Sequence, residues 1–211
     1  MSDGPDLGAW YRAARERISA LVAAPGVDPS TPVPATPQWT VRDVVAHVSG
    51  VAHDAATGNM ADAPGDEWTA AQVDRSAGRS IEEMIELWAA DAVGVEAFFS
   101  SPGGAAMGAG VYDVHCHEAD LRNALGLPFD VPADFLAWAA EGMRSGFATA
   151  VQEAGLAPVE LPISDAEWYR GRLGRRTEAE VRAHPWSADP APYLDLFFVF
   201  GPAERSIGES T

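Results

Sequence analysis

The sequence predicts a mainly α-helical protein built around a helical bundle. Three observations carry this. Apolar residues recur at three- and four-residue spacing over five segments, two of those segments open on a capping-box pair, and Gly or Pro closes every one. The first helix covers 6–23, with Leu7, Trp10, Tyr11, Ala14, Ile18, Leu21 and Val22 on its stripe and Pro25-Gly26 at its end. VDPSTPVPATPQ then runs extended, because each proline fixes its own φ and disfavours helix in the residue before it. The second helix opens at Thr40, with Asp43 three residues on, and its apolar set is Val41, Val44, Val45, Val48, Val51, Ala52 and Ala55.

From Gly58 to about Arg79 the polar, Gly-containing stretch reads as a long crossover loop with room for one helical turn. Ser80 and Glu83 start the third helix, which carries Met84, Ile85, Trp88, Ala92, Val95, Phe98 and Phe99 and is broken by SSPGGAAMGAG. A fourth helix spans 111–125 and stops at Gly126 and Pro128; a fifth covers 133–154 and stops at Gly155. After Val159 the texture changes. VELPI has the length of a short strand, DAEWYRGRL and TEAEVRAHP read as short helices, and YLDLFFVF suits either state. The expected division is a bundle over 1–158 and an appended segment over 159–211, too short for a core of its own and expected to pack on the bundle.

Composition bounds the function. With 47% hydrophobic and 21% charged residues the chain can bury a core. Its 31 acidic residues against 14 basic ones give a formal charge of -17, which phosphate backbones repel, so nucleic acid is not an expected partner. No stretch reads as an export signal or a membrane span, and the single cysteine, Cys116, excludes an internal disulfide and suits a reducing compartment. The expectation is a cytoplasmic protein, as a monomer or a homodimer.

Polar residues on the apolar stripes are the informative ones. His47 lies three residues after Val44 and four before Val51; His117 lies three after Val114 and four before Leu121, with Asp113 one turn before it. Two imidazoles and a carboxylate from separate helices can hold a divalent metal in a bundle and leave a position open. On spacing alone, hydrogen-bonded core histidines and a solvated acid are the favoured reading. His115 lies about 200° around the helix from His117 and is expected on the surface or rim. Cys116 is off the Asp113/His117 face and reads as an inert packing thiol. His53 and His184 read as structural or solvent-facing.

PQWTVRDVVAHVSG resembles the P-x-W-T-V-x-D-L-x-x-H-L signature of the mycothiol-dependent maleylpyruvate isomerase family within the DinB-like superfamily. DVHCHEADLRNALGLP resembles that family's second motif, acid-x-x-x-His-x-x-Asp-Leu, and GRRTEAEVRAHPWSADPAPYLDLFFVFGP is similar to the tail of many members. The three segments occur in the family's order. The resemblance implies an up-down-down-up four-helix bundle, here with an extra helix, and a divalent metal, usually zinc, on His47, Asp113 and His117. The family's acid is commonly Glu, and Asp113 is shorter by one methylene. Asp120 matches the motif's second acid, which would orient His117 or its helix, and reads equally as a plain surface acid. Arg122 and Arg144 are candidates for the carboxylates of thiol or substrate, although long exposed arginines are usually solvated.

The implied chemistry is isomerisation or S-transfer on a small electrophilic substrate, with mycothiol as a metal-bound thiolate nucleophile. Two other readings fit the same residues: a metal hydrolase of the same fold that activates water, and a non-catalytic small-molecule binding or resistance protein. The sequence does not name the substrate.

Overall fold

The computed structural model describes residues 4–104, 108–209 and 211. Part of the expected break SSPGGAAMGAG, at 105–107, lies outside them. The chain divides into two compact units, Met1–Leu127 and Pro128–Thr211.

The N-terminal unit holds α1 (Leu7–Val22), α2 (Val41–Thr57), α3 (Asp66–Arg75), α4 (Ile81–Phe99) and α5 (Ala109–Ala124). The local chemistry sets the ends. Asp6 caps α1 by accepting from the Ala9 amide, and the expected capping boxes form at Thr40/Asp43 and Ser80/Glu83. Gly58 closes α2 at φ 78°, a left-handed conformation that glycine adopts without a Cβ clash. The proline-rich segment doubles back through an isolated antiparallel bridge between Pro32 and Thr40, which carries Trp39 to the start of α2.

Side-chain pairings give the topology. Asp6 meets Ser100, and Arg12 and Arg15 meet Glu96, so α1 and α4 run antiparallel. Arg42 near the start of α2 bonds the Arg79 carbonyl, just before α4, and His53 lies 3.0 Å from Asp91, so α2 and α4 run parallel. Phe99, at the end of α4, packs on Tyr11 and against Gly110 at the start of α5, while Arg17 in the last turns of α1 pairs with Glu118 in the second half of α5. The bundle is therefore up-down-down-up over α1, α2, α4 and α5. Parallel α2 and α4 need a long crossover between them.

That crossover is more ordered than the sequence suggested. It contains α3, ten residues long, with Asp66 and Glu67 in its first turn and Arg75 in its last, as the helix dipole favours. Between the helices lie Tyr11, Ile18, Val44, Val48, Met84, Trp88, Val111 and Leu121, all buried. Each such aliphatic side chain contributes about 1.5–3 kcal/mol before conformational entropy is subtracted. The Trp88 Nε1–H donates to the Tyr11 hydroxyl at 2.9 Å, so both polar groups are satisfied inside the core. No helix is long and apolar enough to cross a membrane among the described residues.

The C-terminal unit holds α6 (Ala133–Glu153), α7 (Asp165–Arg172), α8 (Glu178–Arg182) and α9 (Leu194–Phe197). Its extent differs from the expected boundary at Pro158. Ala140, Phe147 and Val151 of α6 share one apolar cluster with Trp168, Val181, Tyr193 and Phe197. The tail alone is too short for a core; with α6 it has one. VELPI is not a strand, no strand forms among the described residues, and YLDLFFVF resolves into a 3-10 turn at Ala191–Tyr193 followed by α9. The two short helices appear as expected.

Candidate metal centre

α2 and α5 bring His47, Asp113 and His117 together, with one candidate ligand atom from each within 4.8 Å of the others. His47 Nε2 lies 3.6 Å from one Asp113 carboxylate oxygen, and His117 Nε2 lies 3.4 Å from the other. These separations exceed a good hydrogen bond. Neighbouring ligands around a tetrahedral ion with bonds of about 2.0–2.1 Å lie about 3.3–3.4 Å apart; the His117 separation matches this, and the His47 separation, to the other carboxylate oxygen, is slightly longer. The donor set therefore fits a divalent cation such as zinc: two imidazole nitrogens and a carboxylate oxygen, with room for a fourth ligand.

Each ring has a partner behind it, a hydrogen bond at His47 and an ion-pair contact without hydrogen-bond alignment at His117. His117 Nδ1 lies 3.1 Å from a carboxylate oxygen of Asp120, which is fully buried. His47 Nδ1 lies 2.7 Å from Gln72 Oε1. Both Nε2 atoms are thus turned toward the shared space. Trp39 packs on the two rings, with centroids 5.0 Å from His47 and 6.0 Å from His117, so it touches the candidate ligands as well as fixing the start of α2. The two histidine side chains are 7% exposed, whereas that of Asp113 is 35% exposed. Solvent reaches the cluster on the Asp113 side.

Protonation follows the geometry. Burial alone would lift the Asp113 carboxyl, but His117 and His47 outweigh it and hold the group well below the usual carboxylate range. Burial alone would lower the His117 imidazole, and the carboxylates of Asp113 and Asp120 push it up instead, to about 9. Without a cation, a proton on the ring balances the cluster.

The sequence singles out several other residues. Arg122 is half-buried in the last turn of α5, five residues past His117 and about 140° around the helix from it. Arg144 belongs to the C-terminal unit, where it pairs with Asp165 at 2.5 Å and lies over the Trp168 ring. His115 is fully buried rather than on the surface, with Nδ1 2.9 Å from the Val111 carbonyl. The expectation failed because α5 has no wet face over His115–Leu121; every residue there is buried. Cys116 is buried as well, and His53 is about half exposed beside Asp91.

Sequence reasoning missed Gln72 and Asp54. Gln72 sits in the stretch read as loop, and Asp54 was overlooked on a helix read for its apolar set. A cavity of about 200 Å³ is lined by Gln72 together with Ser49, His53, Arg75 and Asp91, and by none of the three candidate ligands.

The N-terminal unit is thus an up-down-down-up helical bundle whose inner faces bring two buried histidines and a partly exposed acid together. Residues 11–113 match the mycothiol maleylpyruvate isomerase N-terminal domain, a span that covers most of the N-terminal unit. The matched span includes His47 and ends at Asp113, four residues before His117. No curated protein and no solved structure matches the chain.

Proposed function

We propose that the protein is a divalent-metal-dependent enzyme that uses mycothiol to isomerise a small electrophilic substrate or to transfer sulfur to it. The observation that carries this is the cluster itself: three donor atoms face one space, at separations too long for their own hydrogen bonds and suited to a shared cation, inside a unit that matches a mycothiol family's domain. His47 and His117 bind the ion through Nε2, and Asp113 closes the set on its exposed side. Zinc is the ion the donors suit best. A divalent ion in this position supplies the positive charge that keeps a bound thiol deprotonated at neutral pH.

The sulfur comes from outside the chain. Cys116 is the one cysteine, it is buried, and it lies about 80° around α5 from the middle of the Asp113/His117 face. Trp39 shields the two rings and lowers the local polarity, which strengthens the hold of the site on an anionic thiolate. The partners in this reading are a thiol and a small electrophile, in a cytoplasmic setting; the charge of -17 disfavours nucleic acid.

The test is incubation of the zinc-loaded protein with a chromogenic electrophile, with and without mycothiol. Turnover or adduct formation that requires both metal and thiol is the expected result. Hydrolysis without thiol would replace this reading with a water-activating one, and binding without any conversion would replace it with a non-catalytic one.

A further inference from the structure

His47, Gly50 and Asp54 fall at i, i+3 and i+7 of α2, on one face of one helix. Gln72 of α3 lies across that face, over Gly50. A Cβ at position 50 would sit 2.6 Å from Gln72 Cβ and 2.8 Å from its Cγ, so glycine is what lets the glutamine come this close. Gln72 is 0% exposed and Asp54 1%, which makes their polar contacts obligatory rather than incidental.

The direction of these bonds is set from the far end. Asp54 Oδ1 accepts from Arg75 at 2.8 Å and from Asn59 at 2.9 Å. Burial alone would raise the Asp54 carboxyl, but these donors keep it below its ordinary value. A carboxylate only accepts. Its Oδ2 lies 3.0 Å from Gln72 Nε2, so the amide must turn its NH2 toward Asp54 and therefore its carbonyl oxygen toward His47. That oxygen also only accepts, so His47 Nδ1, 2.7 Å away, must carry the hydrogen. The lone pair of the neutral ring is then on Nε2.

We propose that Gln72, oriented by the Asp54–Arg75 ion pair, is a positioning residue that locks His47 in its Nδ1–H tautomer and so presents the Nε2 lone pair to the space shared with Asp113 and His117. The consequence for metal binding rests on the function proposed above. The tautomer does not; it is a property of the metal-free chain. His117 is backed by an acid on its own helix, whereas His47 depends on a second helix and a charge two hydrogen bonds away.

Two measurements test this. Long-range proton–nitrogen spectra of the metal-free protein, taken at about pH 8, above the ordinary imidazole pKa, with the His47 signals assigned through a His47→Gln variant, are expected to show the hydrogen on Nδ1. Asp54→Asn, whose amide donates as well as accepts, is expected to mix in the Nε2–H form. Zinc affinity from competition with a chromophoric chelator is expected to fall about 10–100-fold in Gln72→Met, to fall less in Gly50→Ala, and to fall no further when Asp54→Asn is added to Gln72→Met. A wild-type His47 protonated on Nε2, an unchanged affinity in folded Gln72→Met, or losses that simply add would each overturn the proposal. Failure of the wild type to bind zinc would instead overturn the proposed function, and the spectra would still decide the tautomer.

Discussion

The chain buries charge in two ways: both units pair it at bonding distance, as Arg17 with Glu118 at 2.6 Å in the N-terminal unit, whereas the candidate metal centre leaves its groups apart. In the C-terminal unit Arg170 is fully buried, with its guanidinium on Glu209 at 2.7 and 2.9 Å, and Arg176 meets Glu167 at 2.7 Å. Cation and anion come to bonding distance in these pairs. In the N-terminal unit the inner atoms of His47, His117 and Asp113 stop short of one another at 3.4 and 3.6 Å, while the outer nitrogens of both rings have partners at 3.1 Å or less. Charge paired to completion holds a fold. Donors partnered from behind and left apart in front make a place for something else.

The contrast can be broken from either side. The largest effect is expected from His117→Ala, which removes a ligand: the metal content of the purified protein should fall from one ion per chain to none, read by elemental analysis, with helicity retained. Next is Glu209→Ala, which removes the acid paired with the buried Arg170 guanidinium. It should cost about 3–5 kcal/mol of stability in denaturant titration and leave one metal ion per chain. A protein that lost its metal along with Glu209 would show that the two uses of charge are not separate.

Asp120→Ala is expected to be milder. It removes the carboxylate behind His117 and should weaken zinc about 10–100-fold in chelator competition, without abolishing stoichiometric loading at saturating zinc. The smallest effect concerns Glu167. Burial would raise its carboxyl, but His184, Arg176 and Thr211 outweigh that and hold it far below its ordinary value. A depressed carboxylate stabilises the folded state above its unfolded pKa of about 4.3, and that contribution is lost as the pH falls below it. Acid titration of unfolding should therefore show stability declining below about pH 4, and Glu167→Gln should flatten that decline.

Most of the bundle was legible because amphipathic helices write their buried face at 3.6-residue spacing and their ends in caps. Thr40/Asp43, Ser80/Glu83 and Gly58 act as the sequence indicated. The three members of the cluster were legible for the same reason, as polar residues on apolar stripes. α3 was not. Asp66, Glu67, Thr69, Gln72, Asp74 and Arg75 give it little apolar signal, so it read as loop and hid Gln72. His115 was misplaced because one wet face per helix was assumed, and α5 has none at that level. The division at 127/128 was hidden because periodicity shows that α6 has an apolar face and not what meets it; Phe147 and Val151 meet Trp168 and Phe197, which are distant in sequence.

The central claim is that His47, Asp113 and His117 hold one divalent ion without help from the protein's own sulfur. X-ray absorption at the zinc edge of the loaded, thiol-free protein tests it most directly. The expected spectrum shows two imidazole nitrogens and light oxygen donors at about 2.0–2.1 Å and no sulfur, lost in His47→Ala. Sulfur scattering at about 2.3 Å, which would implicate Cys116, or a zinc environment unchanged by His47→Ala, would contradict the account.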